Sequence, residues 1–395
     1  MKKINYYKNI YVNYLFTFTN SLNVTHGIWM LYLASKGMSL FQIGILEGIY
    51  HVTSLLMETP TGAIADIFGR KTSRLIGVIM AIVASIVMVF ADSFAMFALG
   101  FVITALAYNF ESGANEALVY DSLLLEGKES GYMKIAGRTE VVFQATGIVA
   151  LVLGGIVGNI EYVLVYYVAI GISVVSLGVG LFFTEPKAAH EHVKVKLVPA
   201  MKKQYIDSFH AIRHNSRLLY LIVFTAVMFA CVTLSFFYMQ LAWKDNLLST
   251  LQIGVYLAAS ALAAALGAFF AARIEKKLGE TFILRAAPIV VAASIILLFF
   301  TKFALIPFCI MNFVEALIFV ATRDYINKTI PSDKRATILS FESLMFSLVM
   351  IMTFPLFGFI SDSVGMRYAF VMLGGLMMVM AIVNLGLKPN GEMRE

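Results

Sequence analysis

Two titratable side chains of this sequence are spaced to share a proton within an apolar stretch. In the stretch 40–61, Gly44, Glu47, His51, Ser54 and Glu58 fall on one side of a helix, within about 80° of one another at 100° per residue. Glu47 and His51 are one turn apart, so a carboxylate and an imidazole can exchange a proton. The alternative is a polar stripe that packs against a neighbouring helix and is neutralised by hydrogen bonds.

Carboxylates also interrupt two other apolar stretches. Glu111 lies near the middle of the stretch 94–124, and Glu315 follows Asn312 in the stretch 303–326. An ionisable side chain in a bilayer costs a few kcal/mol on insertion scales, so it is expected to face the protein interior and to mark a functional site. A structural salt bridge or a hydrogen-bonded neutral acid is the alternative for each.

These acids lie in a chain whose composition fits lipid better than water. Of its 395 residues, 60% are hydrophobic and 14% are charged, and the mean hydropathy is +0.83. A spanning helix needs about 20 mostly apolar residues. Twelve such stretches leave no room for a large soluble domain: 9–34, 40–61, 73–92, 94–124, 136–158, 161–183, 217–243, 251–272, 281–300, 303–326, 337–360 and 366–387.

The positions of the basic residues predict how the chain is oriented. With a cytoplasmic N-terminus, all but four of the 30 Lys and Arg residues fall on the cytoplasmic side, and the four are Lys36, Lys244, Lys302 and Arg367. Such an excess in the cytoplasmic connections is the signal that orients membrane proteins. We therefore predict that both termini and the segment around Lys194 are cytoplasmic.

The two halves of the chain share a short string at the start of their second helix. Ser-x-x-Gln-Ile-Gly occurs at 39–44 and again at 249–254, and the same offset places Gly279 at the position of Gly69. Chance is the alternative, but the matching place in the topology favours duplication. The predicted organisation is a six-helix bundle over 1–184, a cytoplasmic connection over 185–216 and a second six-helix bundle over 217–395.

Glycines and charges follow the second stretch in a regular order: Gly62, Asp66, Gly69, Arg70 and Lys71. The glycines permit close helix approach and a tight turn. The aspartate can face the positive end of a helix dipole, and Arg70 can pair with a carboxylate. A basic loop that serves only topology is the alternative, but it accounts for neither the aspartate nor the glycines.

This string closely resembles the signature between helices 2 and 3 of the major facilitator superfamily, and the helix count, the central polar segment and the half repeat extend the resemblance over the whole chain. The resemblance implies an all-α polytopic membrane protein with twelve transmembrane helices in two pseudo-symmetric six-helix bundles. It also implies that Asp66, Arg70 and Asp121 latch the cytoplasmic side shut. In the family, helices 1, 4, 7 and 10 line the central cavity, so the implied cavity residues are Asn20, Asn23, Glu111, Asn312 and Glu315.

The resemblance to one subfamily is partial. Proton-driven drug antiporters of the superfamily carry Gly-Pro, two residues, then Gly-Gly in helix 5. Gly154 and Gly155 match the paired glycines, but Ala150 and Leu151 stand at the Gly-Pro step. The paired glycines favour efflux, and the missing Gly-Pro step weakens the assignment to the antiporter subfamily.

The expected function is secondary active transport of a small organic solute by alternating access. The first hypothesis is proton-coupled efflux of amphiphilic or cationic compounds, in which Glu111, assisted by Glu47 and His51, exchanges the proton. Proton-coupled uptake of a nutrient or metabolite on the same fold is the alternative.

Several classes of function are not supported by the sequence. No phosphate-binding loop, nucleophile constellation or metal spacing is visible, so we expect no enzyme, cofactor or metal site. Cys231 and Cys309 lie in apolar runs that suit buried free thiols. Scattered basic residues argue against nucleic acid. The expected partners are a solute, H+ and the lipid bilayer, and we expect a monomer in the plasma membrane of a bacterium.

Overall fold

The described part of the chain is helical throughout. The computed structural model describes residues 5–186, 215–300, 303–330 and 335–386, and every regular element within them is a helix. This confirms the all-α polytopic class. Most of the predicted connection 185–216, including Lys194, lies outside the described residues, as does Lys302.

The helices follow the apolar stretches because a backbone in lipid must satisfy its polar groups within the segment. Eleven helical stretches among the described residues are long and apolar enough to cross a bilayer. The helices are α1 (Lys8–Asn20), α2 (Trp29–Ser35), α3 (Leu40–Phe68), α4 (Arg70–Phe90), α5 (Phe94–Glu111), α6 (Ala114–Leu125), α7 (Tyr132–Gly158), α8 (Tyr162–Leu181), α9 (Ser216–Asp245), α10 (Thr250–Leu278), α11 (Glu280–Leu297), α12 (Leu305–Thr329), α13 (Arg335–Val364) and α14 (Met366–Gly386).

Two of the predicted spans are interrupted. The stretch 9–34 is divided between α1 and α2, with turns from Ser21 to Ile28. The stretch 94–124 is divided between α5 and α6 at Gly113, whose φ is +72°. The expectation of one continuous helix in each stretch was wrong, because hydrophobicity alone does not register a left-handed glycine or a run of turn-forming residues.

The motif after the second stretch forms helix where a loop was expected. Asp66 lies in the last turn of α3, and the connection to α4 is Gly69 alone, with φ +101°. Gly279 connects α10 to α11 in the same way, with φ +80°. The predicted equivalence of Gly69 and Gly279 is therefore confirmed by their backbone conformation, which favours glycine.

The duplicated string forms the same cap in each half. The backbone N–H of Ser39 donates to Gln42 Oε1 (3.0 Å), and the N–H of Gln42 donates to Ser39 Oγ (3.2 Å). Ser249 and Gln252 repeat this exchange at 2.8 and 3.2 Å. Each pair is a capping box, which satisfies two of the free N–H groups at the start of a helix.

The described residues form two compact units. Unit 1 draws its residues from Met1–Lys36, Leu46–Met201 and Ser249–Gly254, and unit 2 from Gly37–Ile45, Lys202–Leu248 and Val255–Glu395. The first turn of α3 thus belongs to unit 2, and the first turn of α10 belongs to unit 1. The boundaries at 185 and 216 stay a prediction.

Each unit contains one helix that packs closely against two others of the same unit. In unit 1, α4 packs against α5 and α8, and in unit 2, α11 packs against α12 and α14. A buried cluster joins α1, α4 and α6 through Val12, Phe16, Val78 and Leu118. This arrangement places the buried side of α1 against α4, the helix that begins at Arg70.

Asp362 of α13 fixes the beginning of α3 within unit 2. Its two carboxylate oxygens accept hydrogen bonds from the backbone N–H groups of Leu40 (3.1 Å) and Phe41 (2.8 Å). A Cβ at Gly358 would collide with the carbonyl oxygen of Leu40. Charge at the helix N-terminus and close backbone packing therefore hold these two helices together.

Candidate functional site

The motif from Gly62 to Lys71 forms a charge cluster in unit 1. Arg70 Nη1 lies 2.5 Å from Asp66 Oδ1, one helical turn earlier, and Arg70 Nε lies 4.0 Å from Asp121 Oδ2 on α6. The three residues implied by the resemblance therefore come together. Gly62 differs from the expectation for it, since a Cβ there would meet no heavy atom within 4 Å among the described residues.

Glu185 completes this cluster, and the sequence did not single it out. Its carboxylate accepts the backbone N–H of Arg70 (2.7 Å) and of Lys71 (2.9 Å) and thereby caps the start of α4. A side chain at Gly69 would collide with that carboxylate. Burial raises the pKa of the Glu185 carboxyl, and the hydrogen bonds from the two N–H groups oppose this rise.

A buried ion pair joins α4 to the end of α5. Arg74 is fully buried, and its Nη2 donates to Glu111 Oε1 at 2.8 Å while its Nε lies 3.1 Å from both carboxylate oxygens. Its Nη1 donates to Asn13 Oδ1 at 2.7 Å. The guanidinium carbon lies 4.3 Å from the ring centroid of Phe16 and 4.8 Å from that of Phe183. Every face of this cation is therefore occupied, as a buried charge requires.

The contact with Arg74 also locates Glu111. Arg74 lies one turn into α4, which begins at Arg70. Glu111 therefore lies nearer that end of the span than its position in the stretch 94–124 indicated. The salt bridge that the sequence left open as an alternative is present, and the coupling role of Glu111 stays a prediction.

The carboxylate and imidazole of α3 face each other in unit 1. His51 Nε2 lies 3.6 Å from Glu47 Oε1, and the exposed fractions of the two side chains are 10% and 13%. One turn further, Ser54 Oγ donates to Asn109 Oδ1 (2.8 Å), and the amide of Asn109 donates to the Ser54 carbonyl (2.7 Å). The stripe thus contacts α5 through Ser54 and contains the Glu47–His51 contact one turn earlier, and the exchange of a proton between these two residues stays a prediction.

The other candidate residues belong to other elements of the chain. Asn20 ends α1, and Asn23 lies in the interruption after it, where its Oδ1 accepts from Thr25 Oγ1 at 2.7 Å. Asn312 and Glu315 belong to α12 in unit 2. The amide of Asn312 is buried and donates to its own helix.

The paired glycines of α7 have separate structural roles. A Cβ at Gly154 would collide with the Val24 carbonyl oxygen in the interruption between α1 and α2, and a Cβ at Gly155 would lie 3.0 Å from Gly254 Cα. Backbone-to-backbone packing on two sides explains why both positions are glycine. This part of the antiporter pattern therefore serves helix contact in this chain.

Comparison with known proteins identifies the family. The model of the Major Facilitator Superfamily matches residues 10–341 and, in a second match, residues 244–394. The uncharacterized MFS-type transporter YxaM of Bacillus subtilis (strain 168) is 23% identical over 383 residues, which are 92% of this chain and 91% of YxaM. An uncharacterized transporter of Buchnera aphidicola subsp. Schizaphis graminum (strain Sg) is 26% identical over 165 residues, 42% of this chain and 40% of the relative.

Solved structures share the fold at low sequence identity. Nucleoside transporter NupG superposes with a TM-score of 0.77 at 14% identity, over 97% of this chain and 99% of NupG. A variant of NupG superposes with a TM-score of 0.79 at 12% identity, over 95% of this chain and 98% of the variant. The fold and the family match together establish that this chain is a multi-pass membrane transporter that belongs to the Major Facilitator Superfamily.

Proposed function

We propose that this transporter couples the movement of a small organic solute to H+ through Glu47 and His51. The observation that carries the proposal is the 3.6 Å contact between the two side chains within a membrane-spanning helix. The pair changes its net charge by one when a proton binds or leaves. A conformational change that admits or excludes water therefore alters how readily the proton binds.

Glu111 ranks behind this pair as the coupling acid. A proton on Glu111 would leave the fully buried guanidinium of Arg74 without its counter-charge, which is costly in a low-dielectric environment. Coupling through Glu111 would therefore require the contact with Arg74 to break during transport. Glu315 of α12 remains a further candidate in unit 2.

The two ends of α3 support an alternating-access mechanism. Asp362 caps its beginning within unit 2, and Asp66 and Arg70 pair at its end within unit 1. We propose that the charged contacts at each end of α3 form and break during transport. The helix then has two discrete arrangements. We assign the contacts at Asp66, Arg70 and Asp121 to the cytoplasmic gate.

Efflux of an amphiphilic or cationic compound is the direction and solute class that we favour. The support is the acidic character of α3, which carries Glu47 and Glu58 within its apolar stretch. Uptake is the second candidate, because the Gly-Pro step of the antiporter pattern is missing and because the solved neighbours carry the name nucleoside transporter. We further propose that the protein works as a monomer in the plasma membrane with both termini in the cytoplasm.

Transport in proteoliposomes under an imposed pH gradient tests the proposal. A panel of dyes, organic cations, nucleosides and sugars is offered, and the pH difference is applied in both senses. We expect one solute class to accumulate against its gradient when the pH difference is present and to equilibrate when it is collapsed. Solute accumulation that does not depend on the pH difference would refute proton coupling. The direction of the pH difference that drives accumulation would decide between efflux and uptake.

A further inference from the structure

Two polar atoms of α9 are buried in unit 2 without a hydrogen-bond partner among the described residues. They are the amide oxygen of Gln240 and the indole nitrogen of Trp243, and the exposed fractions of these residues are 0% and 4%. Buried polar groups in native proteins are almost always paired, so each exception calls for an explanation such as a bound ligand or water.

The two unpaired atoms complement each other. The Gln240 oxygen only accepts a hydrogen bond, and the Trp243 N–H only donates one. Residues three apart on a helix lie side by side, with about 5–6 Å between their Cβ atoms. One molecule with a donor and an acceptor on the same edge can therefore satisfy both atoms.

The surroundings of this pair are aromatic. The Trp243 ring lies edge-on to Phe308 of α12 at 4.9 Å between centroids, and edge-on to Tyr256 of α10 at 5.3 Å. Phe308 in turn stacks on Phe236 of α9 at 6.2 Å with an interplanar angle of 22°. Flat aromatic walls beside the Trp243 N–H and the Gln240 oxygen fit a flat ring with a polar edge.

We propose that Gln240 and Trp243 recognise the solute in unit 2, and that the solute presents an uncharged planar ring with an adjacent hydrogen-bond donor and acceptor. An amide, a lactam or a nucleobase edge has this chemistry. The proposal rests on the transport function above and narrows its solute class, since the recognised end of the molecule carries no charge. Both side chains are buried, so the ring reaches them only when α9, α10 or α12 moves.

Intrinsic fluorescence provides a direct test because the chain has two Trp residues. In a purified Trp29→Phe protein, Trp243 is the remaining indole and reports on its own surroundings. Nicotinamide and uridine serve as neutral planar probes, and tetraphenylphosphonium serves as a cation without a hydrogen-bonding edge. We expect a neutral probe to change the Trp243 emission saturably.

Substitutions then separate recognition from packing. Gln240→Leu in the Trp29→Phe background removes the acceptor, and Trp243→Phe in the natural chain removes the donor while keeping a ring. Each is expected to weaken neutral-probe binding by about tenfold, measured with radiolabelled probe, without changing tetraphenylphosphonium binding. Gln144→Leu, on the exposed face of α7, is the matched control and should bind like the parent.

The outcomes decide the inference separately from proton coupling. The recognition proposal would be overturned if the parent and the variants bound the neutral probes with equal affinity. It would also be overturned if the parent bound no neutral probe, and a buried water would then be the partner of the two atoms. A variant that loses the parent's elution profile on gel filtration is replaced by Gln240→Met or Trp243→Leu, which also remove the acceptor or the donor and are judged by the same affinity ratio. If the parent shows no pH-driven transport but its neutral-probe binding still depends on Gln240, only the proton coupling is refuted.

Discussion

At the scale of single residues, Arg74 and Glu111 form a buried ion pair in unit 1. The cation is fully buried and the exposed fraction of the acid is 23%. Removing one partner of such a pair leaves a buried charge uncompensated, whereas replacing both partners with apolar groups is often tolerated.

Arg74→Met and Glu111→Gln are therefore each expected to lower the free energy of unfolding by about 3 kcal/mol. The double variant Arg74→Met/Glu111→Leu is expected to lose much less than the sum of the two. Denaturation of the purified protein in detergent measures all three. Additive losses would show that the two side chains do not act as a pair.

The sequence predicted the acids better than their partners. Glu47 and His51 are neighbours on one helix, so their spacing alone predicted the contact that the structure contains. The sequence singled out neither Arg74 nor Glu185. Both act through contacts across more than 30 residues of chain, which no local pattern records.

At the scale of elements, the interruption between α1 and α2 depends on glycine in α7. The Val24 carbonyl occupies the space that a Cβ at Gly154 would need. Gly154→Ala is therefore expected to lower the melting midpoint in detergent and to reduce transport.

Gly147, two turns earlier on α7, is the matched control, because a Cβ there meets nothing within 4 Å. Gly147→Ala should keep or slightly raise the midpoint, since alanine stabilises a helix interior by about 0.5–1 kcal/mol over glycine. Equal midpoints for the two variants would contradict the packing role of Gly154.

The end of α3 provides the second element-scale prediction. Asp66→Asn removes one charge from the cluster with Arg70, so it is expected to shift the transporter toward inward-facing states and to reduce turnover while solute binding is mostly retained. Cysteine accessibility on both sides, measured together with transport, reports the shift. Asp324→Asn, which breaks an equally close pair with the exposed Lys328 in unit 2, should leave both unchanged. Asp66→Asn with the parent's accessibility and turnover would remove Asp66 from the gate.

Element boundaries were predictable where hydrophobicity decides them. The helices follow the apolar stretches because lipid leaves the backbone no other way to satisfy its polar groups. The interruptions at Ser21–Ile28 and at Gly113 were missed because apolar residues flank each of them on both sides, so one span was drawn across the polar residues between. The duplicated caps at Ser39 and Ser249 were visible as a repeat, and their capping role needed the structure.

At the scale of the whole molecule, orientation in the membrane follows from the basic residues. In a background without Cys231 and Cys309, Lys36→Cys is expected to react with an impermeant thiol reagent in intact cells. Lys128→Cys should react only after permeabilisation, because its connection carries the cytoplasmic excess of Lys and Arg. The reverse pattern would invert the predicted topology.

Proton coupling through Glu47 and His51 is the central claim, and proton movement during downhill solute flux tests it most directly. A pH-sensitive dye inside proteoliposomes records protons while radiolabelled solute records flux, in the parent, in Glu47→Gln and in the exposed control Glu161→Gln. We expect the parent and the control to move protons with solute. We expect Glu47→Gln to keep downhill flux within about twofold and to move less than about a tenth of the protons per solute. Glu47→Gln that moves protons and solute in the parent's ratio would contradict the claim.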